Sequence, residues 1–556
     1  MNIKTTNSLV ELFFNKLDKT DIKKPFSQWL NLNHNQPYSW EEVAEKILKL
    51  SSKIKSLIKE GDRCLLLSEN RPEWLIADLA IMNAGGICVP VFTTYAANDY
   101  EYIIKDCTPS LIIVSNNSQF KKLKKFIGNK KVISFDELES KSIITINIYK
   151  ENLEKKINKN LKRSMAACII YTSGTSGNPK GVILSHGGIL SNCEGALSVL
   201  KSLIKKKEPV FLTWLPLSHS YEHTVQFIQI LVGAKIFYAE SLEKLISNMG
   251  SAKPTIMTAV PRFYQNLYNK INANFAKQSG LKKLIILKTI NLGKKKLKNK
   301  KLNFKEKLIN FMCEKLIRKR IQNQFGGNLQ AFISGGAALD QKIGEFLNAI
   351  GLPTLQGYGL TEASPIVSCN LPGLVKVETV GPIFSTNNVK IDEKGEILVR
   401  GENVMLGYWN KENETKEILK NGWLHTGDIG EIDAKGYLKI TDRKKDIIVN
   451  LGGDNISPSK VENILCLNEN IKQSFVYGDK KNYLVALIVT ENKISKEKIK
   501  RIIENMNKNL TLVEKIRKFF VIDGEFTIEN KMLTPTLKLK RKEIIKNYKQ
   551  ELENLY

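Results

Sequence analysis

Between two apolar segments of the chain lies the sequence Tyr171-Thr172-Ser173-Gly174-Thr175-Ser176-Gly177-Asn178-Pro179-Lys180-Gly181. Its glycines allow backbone N–H groups to turn toward an anion, and its hydroxyls and lysine supply donors and positive charge for a phosphate. It is not a Walker A loop, because Pro179 stands where that motif needs its second glycine. A flexible Ser/Gly linker would need neither the lysine nor the apolar run Ala166–Ile170 before it. The stretch therefore predicts a phosphate-binding loop that follows a buried strand.

The residues before this loop alternate between strand-like and helix-like patterns. Apolar runs at Cys64–Leu67, Ile87–Val91 and Leu111–Val114 indicate short buried strands, and Pro72–Met82 has helical spacing. This alternation is typical of βαβ units and a largely parallel sheet. Similar strand-like runs follow the loop, at Phe211–Leu215, Lys235–Tyr238, Thr255–Ala259 and Ala331–Ser334. The pattern predicts the α/β fold class.

The pattern changes in the last third of the chain. Gly395–Gly401 and Gly436–Ile440 indicate strands between turns, which predicts a small β-rich subdomain. Beyond them, Ser457 followed by Pro458 is a typical helix start, with serine as the N-cap and proline at the first helical position. Further helices are predicted over 494–510 and 538–552.

These patterns divide the chain into two domains. We predict a large N-terminal domain of βαβ sheets with a small β-rich subdomain over residues 1–441. We predict a C-terminal α+β domain over residues 442–556.

Composition excludes several protein classes. The 556 residues are 42% hydrophobic and 25% charged, which excludes a disordered, collagen-like or disulfide-stapled chain. The formal net charge of +29 suits nucleic acid, an anionic membrane or acidic substrates, but a lysine-rich codon pool is the favoured explanation. A nucleic-acid-binding protein is disfavoured, because no RNP-like aromatic motif, helix-turn-helix signal or zinc module is present.

The lysine-rich segment 270–325 has two interpretations. One is an ordinary helix with a solvated basic face, and the other is a helix that lies on an anionic membrane surface. The sequence leaves both open.

The cysteines and the hydropathy pattern bear on the compartment. None of the eight cysteines forms a CxxC pair, and no Cys/His spacing suits zinc, so we expect buried free thiols in a reducing compartment. No signal peptide is recognised, and no window of 18 apolar residues occurs. We expect a cytoplasmic protein. Peripheral contact with the inner face of the membrane stays open as a further hypothesis.

Further motifs follow the loop in a fixed order. They are Gly335-Gly336-Ala337, Tyr358-Gly359-Leu360-Thr361-Glu362, Trp423-Leu424-His425-Thr426-Gly427-Asp428, Asp442-Arg443-Lys444-Lys445-Asp446 and Gly453-Asp454-Asn455-Ile456-Ser457-Pro458. Together with the loop, this series resembles the AMP-forming acid–thiol ligase superfamily, which includes acyl-CoA synthetases, luciferases and peptide-synthetase adenylation domains. The resemblance spans most of the chain.

The resemblance implies an ATP site. Its residues would be Thr172, Ser173, Gly174, Thr175, Ser176, Gly177, Lys180, Gly335, Gly336, Ala337, Gln356, Gly357, Tyr358, Gly359, Thr361, Asp428 and Arg443. Tyr358 would stack on adenine, Asp428 and Arg443 would bind the ribose, and catalytic Thr361 would contact the α-phosphate. Glu362 would hold Mg²⁺, a cation that prefers oxygen ligands.

The resemblance also implies a catalytic lysine near the C-terminus. The stretch Met532–Lys538 resembles the long-chain fatty acyl-CoA synthetases' version of the catalytic-lysine motif, which places that lysine at Lys538. Leu537 replaces the family's usual glycine, and Lys540 remains the alternative lysine.

Three further residues carry implied roles. His219 lies in a segment that resembles the one lining the acyl pocket of long-chain enzymes, although a core histidine is the alternative. Apolar residues around Phe227–Val232 are candidates for the acyl tunnel. A mobile C-terminal domain would turn about Asp442, and Gly453 would belong to its thiolation face.

The implied activity is that of a long-chain fatty acid–CoA ligase. A fatty acid, ATP and CoA would give acyl-CoA, AMP and pyrophosphate, with Mg²⁺. Two alternatives stay open: transfer to an acyl carrier protein instead of CoA, and activation of another carboxylic acid. The sequence gives no signal for the oligomeric state.

Overall fold

The computed structural model describes residues 3–31, 36–136, 156–172, 178–205, 207–298, 300–492, 494–534 and 537–556. Within these ranges the chain forms two large sheets of mainly parallel strands, a smaller antiparallel sheet and a C-terminal α+β unit. The predicted α/β class is confirmed.

The first large sheet has seven strands and carries the predicted phosphate-binding loop. The strands are β3 (Arg63–Leu67), β4 (Ile87–Val91), β5 (Leu111–Val114), β6 (Lys131–Ser134), β7 (Ala166–Thr172), β8 (Lys180–Ser185) and β17 (Gly407–Tyr408), in the spatial order β17-β8-β7-β4-β3-β5-β6. The strands from β7 to β6 run parallel, whereas β8 pairs antiparallel with both β7 and β17. Thr172 pairs with Lys180 and closes the β7–β8 hairpin. The strands predicted from apolar runs are confirmed.

The second large sheet has eight strands. They are β1 (Pro25–Trp29), β2 (Tyr38–Ser39), β9 (Val210–Thr213), β10 (Lys235–Tyr238), β11 (Ile256–Ala259), β12 (Ala331–Ser334), β13 (Thr354–Gly359) and β14 (Ile366–Cys369), in the order β14-β13-β12-β11-β9-β10-β1-β2. Only the two edge strands, β14 and β2, pair antiparallel within this sheet. The four strand-like runs after the loop are confirmed as β9 to β12.

Helices cover and separate the two sheets. They are α1 (Leu9–Leu17), α2 (Trp40–Lys55), α3 (Pro72–Asn83), α4 (Ala97–Cys107), α5 (Asn117–Leu123), α6 (His186–Ile204), α7 (Ser220–Val232), α8 (Leu245–Ala252), α9 (Pro261–Ala276), α10 (Gly280–Leu297), α11 (Phe304–Cys313), α12 (Lys319–Gln324) and α13 (Gln341–Ala349). Every residue of α3 except Glu73 is buried, which is typical of a helix packed between sheets. Side chains of α3, α6 and α7 share one hydrophobic core with strands of both sheets.

A smaller antiparallel sheet follows. It consists of β15 (Asn387–Ile391), β16 (Glu396–Gly401), β18 (Leu419–Lys420), β19 (Trp423–Ile432) and β20 (Leu438–Arg443), with the helix α14 (Glu412–Ile418) beside it. The predicted β-rich subdomain is confirmed. In β19 and β20, Asp428 pairs with Arg443 across the strands, which brings two predicted site residues together.

The C-terminal unit has its own core. It contains the hairpin β21 (Ile448–Val449) and β22 (Asn455–Ile456), the sheet β23 (Ile471–Tyr477), β24 (Leu484–Thr490) and β25 (Ile516–Val521), and the helices α15 (Pro458–Leu465), α16 (Lys496–Asn507), α17 (Arg541–Asn547) and α18 (Lys549–Glu553). The Ser457 hydroxyl accepts from the backbone N–H of Lys460, so the predicted N-cap is confirmed.

One predicted helix is wrong at its start. The helix expected over 538–552 begins at Arg541 and is interrupted at Tyr548. Lys538 instead lies in a turn, where its N–H donates to the Thr534 hydroxyl at 3.0 Å and Leu537 adopts a φ of 61°. This left-handed conformation is incompatible with a continuing helix.

The cysteines and the helices agree with two expectations from composition. All eight cysteines lie in the described ranges and are buried free thiols. Among the described residues, none of the helices is long and apolar enough to cross a membrane.

Candidate functional site

A cavity of about 700 Å³ opens at the carboxyl ends of β7, β11, β12 and β13. The ends of parallel strands are the usual position of ligand sites in α/β folds. Predicted site residues that line this cavity are Thr172, Lys180, His219, Gly335, Gly336, Gly357, Tyr358, Gly359, Thr361, Glu362, Arg443 and Lys538. Residues from distant parts of the chain thus meet in one place.

The lysine of the predicted phosphate loop is held by two residues that the sequence analysis did not single out. Lys180 forms an ion pair with Glu414 of α14, and its Nζ lies 5.0 Å from the centre of the Tyr408 ring. Tyr408 reaches this position because β17 pairs with β8. A phosphate that binds Lys180 would replace Glu414 as its anionic partner.

Tyr408 also contacts the predicted metal ligand. Its hydroxyl donates a hydrogen bond of 2.8 Å to Oε1 of Glu362, which lines the cavity. Burial raises the pKa of Tyr408, and the Glu362 carboxylate raises it further, so the hydroxyl remains a donor. A carboxylate oriented by such a bond fits a hard cation such as Mg²⁺.

A second oxygen-rich group lies nearby. Among the described residues, the ligand atoms of Asp392, Glu396 and His425 lie within 4.8 Å of one another. The Lys444 ammonium stands 3.1 Å from Glu396 and already supplies a positive charge there. This group therefore fits a metal less well than Glu362 does.

Thr361 is nearly buried at the floor of the cavity. Its hydroxyl lies 2.9 Å from the Ser220 hydroxyl, and either group can be the donor. Ser220 is the first residue of α7, so this helix fixes the orientation of Thr361. The sequence analysis did not identify Ser220.

Two glycines allow the backbone to approach closely at this site. A Cβ added to Gly335 would lie 2.9 Å from the Tyr221 ring, and one added to Gly359 would lie 2.0 Å from the carbonyl oxygen of Pro365. The backbone can therefore form this part of the cavity wall only with glycine at both positions.

A polar group forms the predicted ribose end of the site. The Tyr358 hydroxyl donates to Oδ2 of Asp428 at 2.7 Å, and the Arg443 Nε lies 3.1 Å from Oδ1. Asp428 itself is 8% exposed and lies just outside the cavity wall, whereas Tyr358 and Arg443 line it. Burial raises the pKa of Tyr358, and the negative charge of Asp428 raises it further. The tyrosine therefore stays protonated and holds the carboxylate.

Lys538 lies in the cavity with its side chain exposed to the open space. The pKa of Lys538 is lowered to about 8, mainly because the protein around the cleft displaces water and also because the Arg443 guanidinium lies nearby. Asp428, Glu362 and Asp446 act in the opposite direction. A lysine in this position can neutralise negative charge that develops in the cavity.

His219 lines the cavity and also begins a helix. Its Nδ1 accepts a 3.2 Å hydrogen bond from the N–H of Tyr221, so the imidazole caps α7. The pKa of His219 is lowered to about 3, mainly by burial and also by the positive charge of Lys538. The ring is therefore neutral at pH 7.

The cavity continues into an apolar limb between two helices. Ala196, Val199 and Leu200 of α6 line one side, and Val225 and Ile228 of α7 line another. The spacing of three or four residues places each set on a single helix face.

Only part of the range expected to line an acyl tunnel lines this cavity. From the predicted range, Ile228 lines the cavity, but Phe227 is fully buried and its ring lies 5.3 Å from the His223 ring. Adjacent residues of a helix point in different directions, so six consecutive residues of α7 could not all face the apolar limb.

Besides Asp428, four predicted site residues lie outside the cavity wall. Ala337 is exposed in the turn after β12, and the side chain of Gln356 accepts a 3.0 Å hydrogen bond from the N–H of Leu339. Asp442 lies on β20, and Gly453 is exposed in the turn between β21 and β22 with a φ of 82°. Ser173, Gly174, Thr175, Ser176 and Gly177 lie outside the described residues.

Comparisons with known proteins agree with this arrangement. The profile of a family described as AMP-binding enzyme matches residues 16–409, and that of the AMP-binding enzyme C-terminal domain matches residues 445–556. Long-chain-fatty-acid–CoA ligase 5 of Rattus norvegicus is 31% identical, over 94% of this chain and 85% of its own length. Long chain acyl-CoA synthetase 3 of Arabidopsis thaliana is 29% identical, over 93% of this chain and 87% of its own length.

A solved structure shares the fold. O-succinylbenzoate coenzyme A synthetase (MenE) from Bacillus subtilis, in complex with AMP, superposes with a TM-score of 0.72 and 20% identity. The superposition covers 96% of this chain and 97% of that chain.

Proposed function

This chain belongs to the AMP-binding enzyme family, and we propose that it is a long-chain fatty acid–CoA ligase. It would join a fatty acid to CoA at the expense of ATP, which is cleaved to AMP and pyrophosphate. The two curated relatives described above carry names of this activity.

One observation carries the proposal. A single cavity joins a polar end, with Lys180, Thr361, Glu362 and Lys538, to an apolar limb between α6 and α7. The polar end suits a nucleotide triphosphate, and the limb suits a hydrocarbon chain. A carboxyl group at the junction would lie beside the phosphates.

The first step is adenylation. A carboxylate oxygen of the acid attacks the α-phosphorus of ATP, and the bond from that phosphorus to the bridging oxygen of pyrophosphate breaks. Lys180 and residues 173–177 of its loop would hold the outer phosphates, while Thr361 and Lys538 would stabilise the α-phosphate charge. Mg²⁺ held by Glu362 would neutralise further phosphate charge.

The second step is thiolysis. The CoA sulfur attacks the acyl carbonyl carbon, the thiol proton is released, and AMP leaves with the electron pair of the acyl–oxygen bond. In the structure Lys538 lines the cavity, whereas Gly453 faces solvent. We propose that residues 442–556 rotate about Asp442, so that Gly453 replaces Lys538 at the cavity for this step.

The test measures AMP formation with ATP, Mg²⁺ and acids from acetate to oleate, with and without CoA. AMP release that needs both CoA and a long-chain acid supports the proposal. Acid-dependent pyrophosphate exchange without CoA turnover would indicate a carrier-protein acceptor. A preference for a short or aromatic acid would contradict the fatty-acid assignment.

A further inference from the structure

The helical hairpin α10–α11 exposes an apolar stripe to solvent. On α11 and the π-helical turn Glu314–Arg318 that continues it, the exposed side chains are Phe304 (84%), Leu308 (61%), Phe311 (56%), Met312 (49%) and Leu316 (37%). Their spacing of four, three, one and four residues places them on one helix face. Apolar residues with this spacing normally face a protein core.

The partner helix has a similar stripe. On α10, Leu281 is 79% exposed, and Leu284 and Leu287 are each about half exposed. These residues recur at every third position and so lie on one side of α10. The two helices pack against each other, with the Lys295 ammonium of α10 2.7 Å from both oxygens of Glu306 of α11.

The inner side of the hairpin is fixed to the body of the protein. Arg318 is 5% exposed, and its guanidinium donates at 2.9 Å to the carbonyl of Ala349 in α13, outside the hairpin, and at 3.0 Å to that of Thr289 within α10. A Cβ added to Gly293 would lie 2.5 Å from Cα of Ala349, so α10 crosses α13 closely. The orientation of the hairpin is therefore set by buried contacts, and its apolar stripe cannot turn inward.

Positive charge is concentrated on the same hairpin. Residues 280–320 contain fifteen lysine and arginine residues and two glutamates, a net charge of +13 out of +29 for the whole chain. This segment of 41 residues thus carries nearly half of the net charge. A uniformly lysine-rich codon pool does not explain such a concentration.

We propose that the α10–α11 hairpin docks on the surface of an anionic lipid bilayer. The exposed leucine, phenylalanine and methionine side chains would enter the boundary between head groups and acyl chains, and the lysines would contact lipid phosphates. The Nζ of Lys315 lies 4.7 Å from the centre of the Phe311 ring. A lysine beside an apolar ring can therefore contact a lipid phosphate while the ring enters the bilayer.

The charge argues against other occupants. A second copy of the chain, packed face to face, would place two strongly positive surfaces against each other. A nucleic acid would use the lysines but would leave the leucine stripe exposed to water. Docking rests on this surface alone and does not depend on the proposed enzymatic activity.

The test is sedimentation of the full-length protein with vesicles, without ATP or fatty acid. We expect binding to equimolar phosphatidylcholine and phosphatidylglycerol, weak binding to phosphatidylcholine alone, and release by salt. Leu308→Ser with Phe311→Ser should lower the partition coefficient at least about tenfold. The matched control is Leu374→Ser with Leu512→Ser, because Leu374 is 57% and Leu512 70% exposed elsewhere on the chain.

The lysines are tested in the same way. Lys305→Gln with Lys307→Gln on α11 should weaken binding to anionic vesicles, whereas Lys496→Gln with Lys500→Gln on α16 should not. Equal binding by the hairpin variants and their controls would overturn the proposal, as would no binding by the wild-type protein. A dimer in gel filtration that the serine variant abolishes, without vesicle binding, would show that a second copy covers the stripe. Circular dichroism confirms that each variant is folded.

Discussion

The Tyr358 hydroxyl donates a 2.7 Å hydrogen bond to Oδ2 of Asp428, across 70 residues of sequence. Arg443 holds the other carboxylate oxygen at 3.1 Å. Tyr358 and Arg443 line the cavity, and Asp428 lies just beyond its wall. The three residues therefore act as one unit at the predicted ribose end of the site.

We predict that Tyr358→Phe raises the KM for ATP about tenfold and changes kcat little. The substitution keeps the ring but removes a hydrogen bond to a charged group, which contributes about 1.5–3 kcal/mol. Steady-state kinetics with saturating fatty acid measures the effect. The control is Tyr437→Phe, whose hydroxyl bonds the carbonyl of Leu374 away from the cavity. An unchanged KM for ATP would show that Asp428 needs no support from Tyr358.

Lys538 and Lys540 are distinguished by separate measurement of the two half-reactions. Lys538 lines the cavity, whereas Lys540 directly precedes α17 and lies outside the wall. We predict that Lys538→Ala lowers the rate of adenylation at least about a hundredfold and leaves thiolysis of supplied acyl-adenylate largely intact. Lys540→Ala should stay within about twofold of wild type in both. Equal losses for the two variants would contradict the assignment.

The pH dependence of adenylation tests the same lysine. Its pKa is lowered to about 8, so its positive charge is present below that pH and is lost as the pH rises through it. We predict that the pyrophosphate exchange rate falls above about pH 8, and that Lys538→Arg shifts this fall to higher pH because arginine stays charged.

A second group could produce a similar profile and serves as the control. The pKa of Glu222 is raised to about 7, because the effect of burial exceeds the opposing effect of the hydrogen bonds from the Thr258 and Thr213 hydroxyls. Glu222→Gln should therefore leave the fall above pH 8 in place. A pH profile that shifts in Glu222→Gln but not in Lys538→Arg would assign the titration to Glu222 and contradict its assignment to Lys538.

A buried ion pair stabilises the C-terminal unit. The Arg541 guanidinium donates to both oxygens of Glu462, at 2.6 and 2.7 Å, and Glu462 is 7% exposed. We predict that Arg541→Met lowers the free energy of unfolding by about 3 kcal/mol, because it leaves a buried carboxylate unpaired. Hydrogen exchange of the β23 and β24 amides measures the loss. Arg517→Met, at an exposed position of β25, should change little. Unchanged protection in Arg541→Met would contradict the prediction.

Much of the fold could be predicted from sequence because its strands are continuous apolar runs. The run Ile87–Val91 follows Gly85 and Gly86. A short, continuous apolar run after such a turn signal is typical of a strand that is buried on both faces. The turn that holds Lys538 could not be predicted, because Leu537 adopts a left-handed backbone conformation that leucine rarely adopts.

The site was predicted only where a local motif marks it. Glu362 and Lys180 lie in such motifs, but Tyr408 and Glu414, which contact them, do not. Their positions depend on the pairing of β17 with β8, strands more than 200 residues apart in sequence. Ala196 and Leu200 were missed for a similar reason, because cavity-facing and core-facing apolar residues look alike in a sequence.

The central claim is that the apolar limb between α6 and α7 binds the acyl chain, and one measurement tests it most directly. Ala196 lines the limb, so Ala196→Phe should shorten the space available to the chain, whereas Ala196→Ser preserves it. We measure kcat/KM for fatty acids from octanoate to oleate in both variants. We predict at least about a tenfold loss for oleate in Ala196→Phe, with octanoate within about threefold of wild type. An equal loss for all chain lengths, or none, would contradict the account.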